Sequence, residues 1–189
     1  MVNEKKWEKT QDWFWEGNVQ NRIIEYMVKN EGFQIIRSAD PGKKERGPDI
    51  FAQRRLSDGS FERRRVAVKG YPSERYVDGE RRGEKKRTDP STQARHWFGE
   101  ALLELVLAKS KDENLQIALG LPDKKVYRNL LKRIKWFREK VGLLCYLVDE
   151  HGEVNMYSVG ERIPQFGEKY EKVLQTEGSN SNTNSFFFN

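Results

Sequence analysis

Two β-prone runs joined by a tight turn constrain this chain more than any other feature. Asp49 to Arg55 reads as one strand and Arg63 to Gly70 as the next, with Ser57-Asp58-Gly59-Ser60 turning between them. Side chains alternate faces along a strand, so Ala67 and Lys69 share one face while Val66 and Val68 point to the other. The turn then decides the register. A two-residue Asp58-Gly59 turn sets Asp49 opposite Val68, on the wrong face. A three-residue loop or a bulge sets Asp49 opposite position 67 or 69. An odd-length turn is therefore the condition under which Asp49, position 67 and Lys69 meet.

The rest of the chain supplies a frame for this hairpin. Val19, Ile23, Tyr26 and Met27 repeat at helical spacing, predicting a helix over 18–30 that Gly32 stops. Residues 34–37 read as a first strand, and the Gly/Pro-rich stretch 40–48 as a loop. Residues 71–90 are charged and aperiodic, which predicts a mobile excursion. Trp97, Phe98, Ala101, Leu102, Leu105 and Val106 mark the buried face of a long helix over about 91–110. A strand over 115–121, a helix over 123–141 closed by Gly142, a central strand over 143–148 and a last strand near 153–159 complete the order. That order predicts an α/β sandwich around a mixed sheet flanked by helices. Residues 1–14 form a lead-in whose Trp7, Trp13 and Phe14 pack onto the domain at 15–160. Residues 161–189 are an extension ending in a flexible Asn/Ser-rich tail and Phe186-Phe187-Phe188, a candidate anchor for a partner.

Charge is distributed unevenly. Residues 43–95 hold 16 Lys/Arg against 9 Asp/Glu, while the whole chain carries a net charge of +6, so the positive excess surrounds the hairpin. A phosphate-bearing polymer is the natural partner of such a surface. Lys43, Lys44, Arg46, Arg63, Arg64, Arg65, Arg81, Arg82, Lys85, Lys86, Arg87, Gln93 and Arg95 are the candidate nucleic-acid contacts, of the kind that hold phosphates without reading sequence. No 18-residue apolar run and no signal core occur, which with one cysteine predicts a cytoplasmic protein. Cys145 lies in an apolar run and reads as a small core residue.

Hydrolysing a phosphodiester needs a nucleophilic water, neutralised phosphoryl oxygens and help for the leaving group, much of which a carboxylate-bound divalent metal supplies. Mg²⁺ takes oxygen ligands and keeps waters, so a pair of carboxylates and a backbone carbonyl suffice, with Mn²⁺ as an alternative ion. Asp49 and the carbonyl of Val68 are the candidate ligands, and Lys69 is placed to serve the water. His96 and His151 have no partners at metal spacing, and neither a phosphate loop nor a Ser/His/Asp signature appears.

Pro48-Asp49 and Lys69, on a helix–strand–strand–strand frame, resemble the PD-(D/E)xK nuclease superfamily. The stretch Gly32-Phe33-Gln34-Ile35-Ile36-Arg37 through Asp49-Ile50 is similar to archaeal Holliday-junction resolvases and Mrr-like restriction enzymes. The resemblance spans roughly residues 16–148. It implies a restriction endonuclease-like αβββαβ fold, Mg²⁺-dependent DNA endonuclease activity, and a homodimer where both strands are cut. It also implies a first-helix acid in the site, for which Glu16 is the candidate, as catalytic residue and metal ligand, with Gln20 one turn further on.

Ala67 departs from that pattern, which wants Asp or Glu at this position. Three readings stay open: a deliberate change to alanine that inactivates the enzyme, relocation of the carboxylate, for example to Glu100, or a natural domain that only binds. The expectation is a DNA endonuclease frame whose present chain cleaves poorly or not at all. The alternative is a silent nucleic-acid-binding or partner-docking subunit of a larger restriction, transposition or defence complex.

Overall fold

The computed structural model describes residues 11–43, 47–76, 79–164 and 166. Within them the chain is α/β, with a six-stranded mixed open sheet and four helices. The elements run α1 (Glu16–Glu31), β1 (Gln34–Ser38), β2 (Ile50–Arg55), β3 (Phe61–Val68), α2 (Pro90–Lys111), β4 (Gln116–Pro122), α3 (Lys125–Arg133), α4 (Lys135–Val141), β5 (Leu143–Val148) and β6 (Val154–Tyr157). The strands lie side by side in chain order. β1, β2 and β3 pair antiparallel, β3–β4 and β4–β5 parallel, and β5–β6 antiparallel. Helix α2 provides the long crossover that a parallel pair requires.

Two apolar layers sandwich the sheet. On one face Val19, Ile23 and Met27 of α1 pack on Ile50, Val66, Val68, Ala118 and Tyr146. On the other, Phe98, Ala101 and Leu105 of α2 and Tyr127 and Leu131 of α3 pack on Ala67, Leu119, Leu121 and Cys145. The alternation read from β3 is thus realised, with Val66 and Val68 under α1 and Ala67 under α2. Ala94, Ala101 and Ala108 recur every seven residues along the buried side of α2, so the helix seats close to the sheet. Cys145 is a core residue whose thiol burial pushes up to about 11.

Local chemistry explains the element ends. Gly32 and Gly142 close α1 and α4 at φ 71° and 70°, a left-handed conformation that glycine adopts without a Cβ penalty. Asp89 caps α2 by accepting from the Ser91 amide at 2.8 Å, and Pro90 stands at its first helical position.

Three expectations need correction. The helix expected over 123–141 is two helices, because Ile134 leaves helical geometry at φ −99° and ψ 21°. The strand over 143–148 is fully covered but lies next to the edge strand β6, and β3 and β4 occupy the middle. The charged excursion is folded back on itself. Tyr76 N–H donates to Glu84 O at 3.0 Å, Gly83 N–H to Tyr76 O at 2.8 Å and Lys86 N–H to Glu74 O at 2.8 Å. The Arg81 guanidinium stacks 4.5 Å over the Tyr76 ring. Backbone bonds, the Arg75 Nη1–Gly83 O bond at 2.7 Å, the Arg81–Glu84 ion pair and this cation–π contact hold it, and none of them leaves a hydrophobic period in the sequence. Residues 1–10, most of the extension after 164 and the Phe-ended tail lie outside the described residues. Among the described residues no helix is long and apolar enough to cross a membrane.

Candidate functional site

The β2–β3 turn has the odd length that the site requires. Leu56 N–H donates to Ser60 O at 2.9 Å, leaving the three-residue loop Ser57-Asp58-Gly59, with Gly59 at φ 86°. Ile50 pairs with Val66, so continuing the register sets Asp49 opposite Ala67 and Pro48 opposite Val68. Asp49 and Ala67 are therefore cross-strand neighbours on the α2 face, whose Cβ atoms lie about 5 Å apart in such pairs.

Asp49 turns its carboxylate onto the end of β3, where Oδ2 accepts the Val68 N–H at 2.6 Å. Pro48 leaves a different group of Val68, its carbonyl, without a ladder partner. Val68 faces Pro48, which has no N–H to give to the Val68 carbonyl, so the ladder cannot continue. Along a strand edge a residue's N–H and C=O point the same way and neighbours alternate. Lys69 N–H turns instead to Gly120 O on β4 at 3.0 Å. Two residues past Val68, the Gly70 backbone hydrogen-bonds to Glu16. Two carboxylates thus sit against amides two residues apart, one at the end of β3 and one just beyond it.

Glu16 reaches this point because the segment before α1 is strapped to the exit of β3. Tyr71 N–H donates to Phe14 O at 2.9 Å, and the Tyr127 hydroxyl donates to Gly70 O at 2.7 Å. A Cβ on Gly70 would stand 2.7 Å from Glu16 N and 2.8 Å from Phe14 O, so only glycine permits the approach. Lys124 Nζ clamps the strap from above, 4.5 Å from the centre of the Trp13 ring and 4.8 Å from that of Phe14.

Electrostatics tie these groups together. Burial raises the Asp49 pKa more than the Val68 N–H and the Lys69 ammonium lower it, and Glu104 raises it further. Burial likewise raises Glu16, against the pull of Lys69 and with a further push from Asp49 and Glu104. Glu104 on α2 is held by Arg65 at 2.5 Å. It is the site acid that sequence reading missed. Glu100 was the candidate for a relocated carboxylate, yet it is exposed, and its i+4 neighbour Glu104 is the one within electrostatic reach of Asp49. Glu100 and Glu104 stand one turn apart on α2, each just before a buried residue, so helical phase alone does not separate them.

The structure separates the other candidates. Gln20 is buried, and its Nε2 donates to Ala39 O at 2.7 Å while Ala39 N–H donates to Asp49 O at 2.9 Å. It props the backbone of Asp49 through Ala39. Ala67 is fully covered beneath α2, beside the polar groups but within the apolar layer. The donors that converge (Asp49, Glu16 and the Val68 carbonyl) are all oxygens, the chemistry Mg²⁺ or Mn²⁺ prefers. Among the described residues no set of three His, Cys, Asp or Glu side chains could hold a metal ion.

Of the basic candidates, Arg64 belongs to the interior. It faces α1, its side chain is 4% exposed, and it bonds Glu31 at 2.6 Å, Glu62 at 2.7 Å and the Tyr146 hydroxyl. Strand alternation makes it impossible for Arg63, Arg64 and Arg65 to line one surface. Arg63 is half-exposed and paired with Asp112, Lys43 with Asp40 and Arg81 with Glu84. Arg82, Lys85, Arg87 and Arg95 are exposed, while Lys86 is half-buried with Nζ 3.5 Å from Gln93 Oε1. Arg95 also lines a groove with Lys132 and Arg133, two cations absent from the sequence-based set. Lys44 and Arg46 lie outside the described residues.

No family model matches the chain, and no curated protein or solved structure matches it either.

Proposed function

We propose that this chain carries the frame of a metal-dependent DNA endonuclease of the restriction endonuclease-like class, with one catalytic carboxylate replaced by Ala67. It binds DNA and cleaves it poorly or not at all. The observation that carries this reading is the pair Asp49 and Glu16, set against the amides of Val68 at the end of β3 and of Gly70 just beyond it, with Lys69 between those two residues. The strand order β1-β2-β3-β4, antiparallel until the parallel β3–β4 pair crossed by α2, supports it as well.

Asp49, Glu16 and the Val68 carbonyl would hold Mg²⁺ or Mn²⁺. Bound there, such an ion lowers the pKa of a water and neutralises phosphoryl charge. Lys69 orients that water and stabilises the negative charge that develops on the phosphate. Burial keeps Asp49 and Glu16 from ionising freely, so an arriving cation favours their charged forms. Arg63, Lys85, Arg87 and Arg95 hold the DNA backbone.

A specific observation favours a second reading, a silent nucleic-acid-binding or partner-docking subunit. The Ala67 methyl is fully covered by the α2 layer, as an ordinary core alanine would be. Plasmid nicking in Mg²⁺ distinguishes the two. Nicking by Ala67→Glu, abolished again by Asp49→Asn in the same chain, supports the nuclease frame. No nicking by a folded Ala67→Glu protein supports the silent subunit.

A further inference from the structure

A cleft of 270 Å³ opens beside the carboxylates and shares Glu16 and Gly70 with them. Its walls include Phe14, Trp15, Tyr71 and Trp97, an unusual concentration of aromatic rings for so small a space. Two of the rings are braced: Phe14 and Tyr71 meet edge to face at 6.2 Å, and Tyr71 meets Tyr127 likewise at 6.0 Å. Lys86 lines the same cleft, and burial lowers its pKa, so an anion beside it favours its charged form. The volume lies just below that of clefts built for drug-sized ligands, roughly 300 Å³ and upward. It suits one planar ring system. A ring stacks on aromatic side chains whatever its identity, but only when its face is free, as in single strands, gaps and extruded nucleotides.

We infer that this cleft receives an unpaired nucleobase of the DNA strand that passes over Glu16, with Lys86 on the adjoining phosphate. The inference rests on the DNA endonuclease reading and narrows its substrate class to DNA with an unpaired nucleotide next to the contacted phosphate. Trp97, one turn before Ala101 on α2, and Tyr71, straight after Gly70, are the stacking residues.

The test is fluorescence anisotropy of the full chain with labelled oligonucleotides at fixed salt, so that no cleavage is needed. A blunt duplex is compared with the same duplex carrying a single-stranded gap, and with that gap made of abasic residues. The gapped DNA is expected to bind about tenfold tighter than the blunt duplex, the scale of one base–aromatic stack. The abasic gap loses that advantage, Trp97→Leu loses it with duplex affinity unchanged, and Trp97→Phe retains it. Equal affinity for the base-bearing and abasic gaps overturns the inference without recourse to any variant, and leaves the DNA reading standing. Retention of the preference by Trp97→Leu overturns it too. Failure to bind any of the three DNAs overturns the DNA reading itself, and the cleft assignment with it.

Discussion

Asp49 Oδ2 accepts the backbone N–H of Val68 at 2.6 Å, so a side chain at the head of β2 takes the place of a missing ladder bond at the foot of β3. Pro48 has no N–H to offer the Val68 carbonyl, which leaves that oxygen facing the site. A proline, an aspartate and a strand end together present two oxygen donors on one edge.

Because burial raises its pKa, ionised Asp49 costs stability in the native state. Its favourable contribution is complete below the ordinary carboxylate range near pH 4 and is lost as pH rises through the native value. Asn keeps an oxygen for the Val68 amide and carries no charge. Asp49→Asn is therefore expected to raise Tm by about 2–4 °C at pH 7–8, the scale of 1 kcal/mol in a chain of this size. The gain shrinks toward zero as the pH is lowered past 4. Calorimetric scans across pH measure this; a lower Tm for the variant at neutral pH would contradict it.

Gly70→Ala tests the strap. The added Cβ meets backbone atoms of Phe14 and Glu16, which have no flexible end to give. A loss of about 1–3 kcal/mol in urea unfolding is expected. An unperturbed midpoint would mean that the strap is not seated on β3 as described.

Arg64 and Lys85 are expected to part company. Removing the Arg64 guanidinium takes the ion-pair partner from Glu31, which is largely covered, while Glu62 keeps Arg54, so Arg64→Ala costs about 3 kcal/mol in stability. At temperatures where it stays folded, its DNA affinity and salt slope remain those of the parent. Lys85→Ala leaves stability within about 0.5 kcal/mol and lowers the salt slope of DNA binding by about 1. Gel shifts across a salt series read both, and a reduced slope for Arg64→Ala would contradict its interior placement.

Lys124 sits within 6 Å of three rings, the third being Tyr71 at 5.7 Å. Lys124→Met keeps the stem and removes the charge. A loss of about 1–2 kcal/mol is expected, together with faster proteolysis of the chain before Glu16. Unchanged stability and cleavage would show that the aromatic strap holds without the cation.

Much of this was legible in the sequence because it rests on short-range rules. Period-2 alternation gives the faces of Ala67 and Val68, and an odd-length loop, realised as Ser57-Asp58-Gly59, is the condition for Asp49 to face position 67. Glu16 at the helix start was likewise readable. What escaped depends on contacts distant in sequence. Arg64 looks like its neighbours in a basic run, and its burial follows from Glu31 and Tyr146 arriving from α1 and β5. Glu104 lies some 55 residues beyond Asp49, and choosing it over Glu100, one turn away on the same helix face, needs the position of α2 along the sheet. Gln20 shares the helix face expected of a site residue, but spends its amide on a carbonyl of the β1 exit.

The most direct measurement is Mn²⁺ titration calorimetry on the chain, on Ala67→Glu, and on Ala67→Glu with Asp49→Asn. If residues 16, 49 and 67 converge on one oxygen-lined seat, the restored glutamate tightens Mn²⁺ binding at least about tenfold, some 1.4 kcal/mol. Asp49→Asn then abolishes the gain. Affinity indifferent to both changes would mean that the three side chains share no ion, and the proposed site would be wrong.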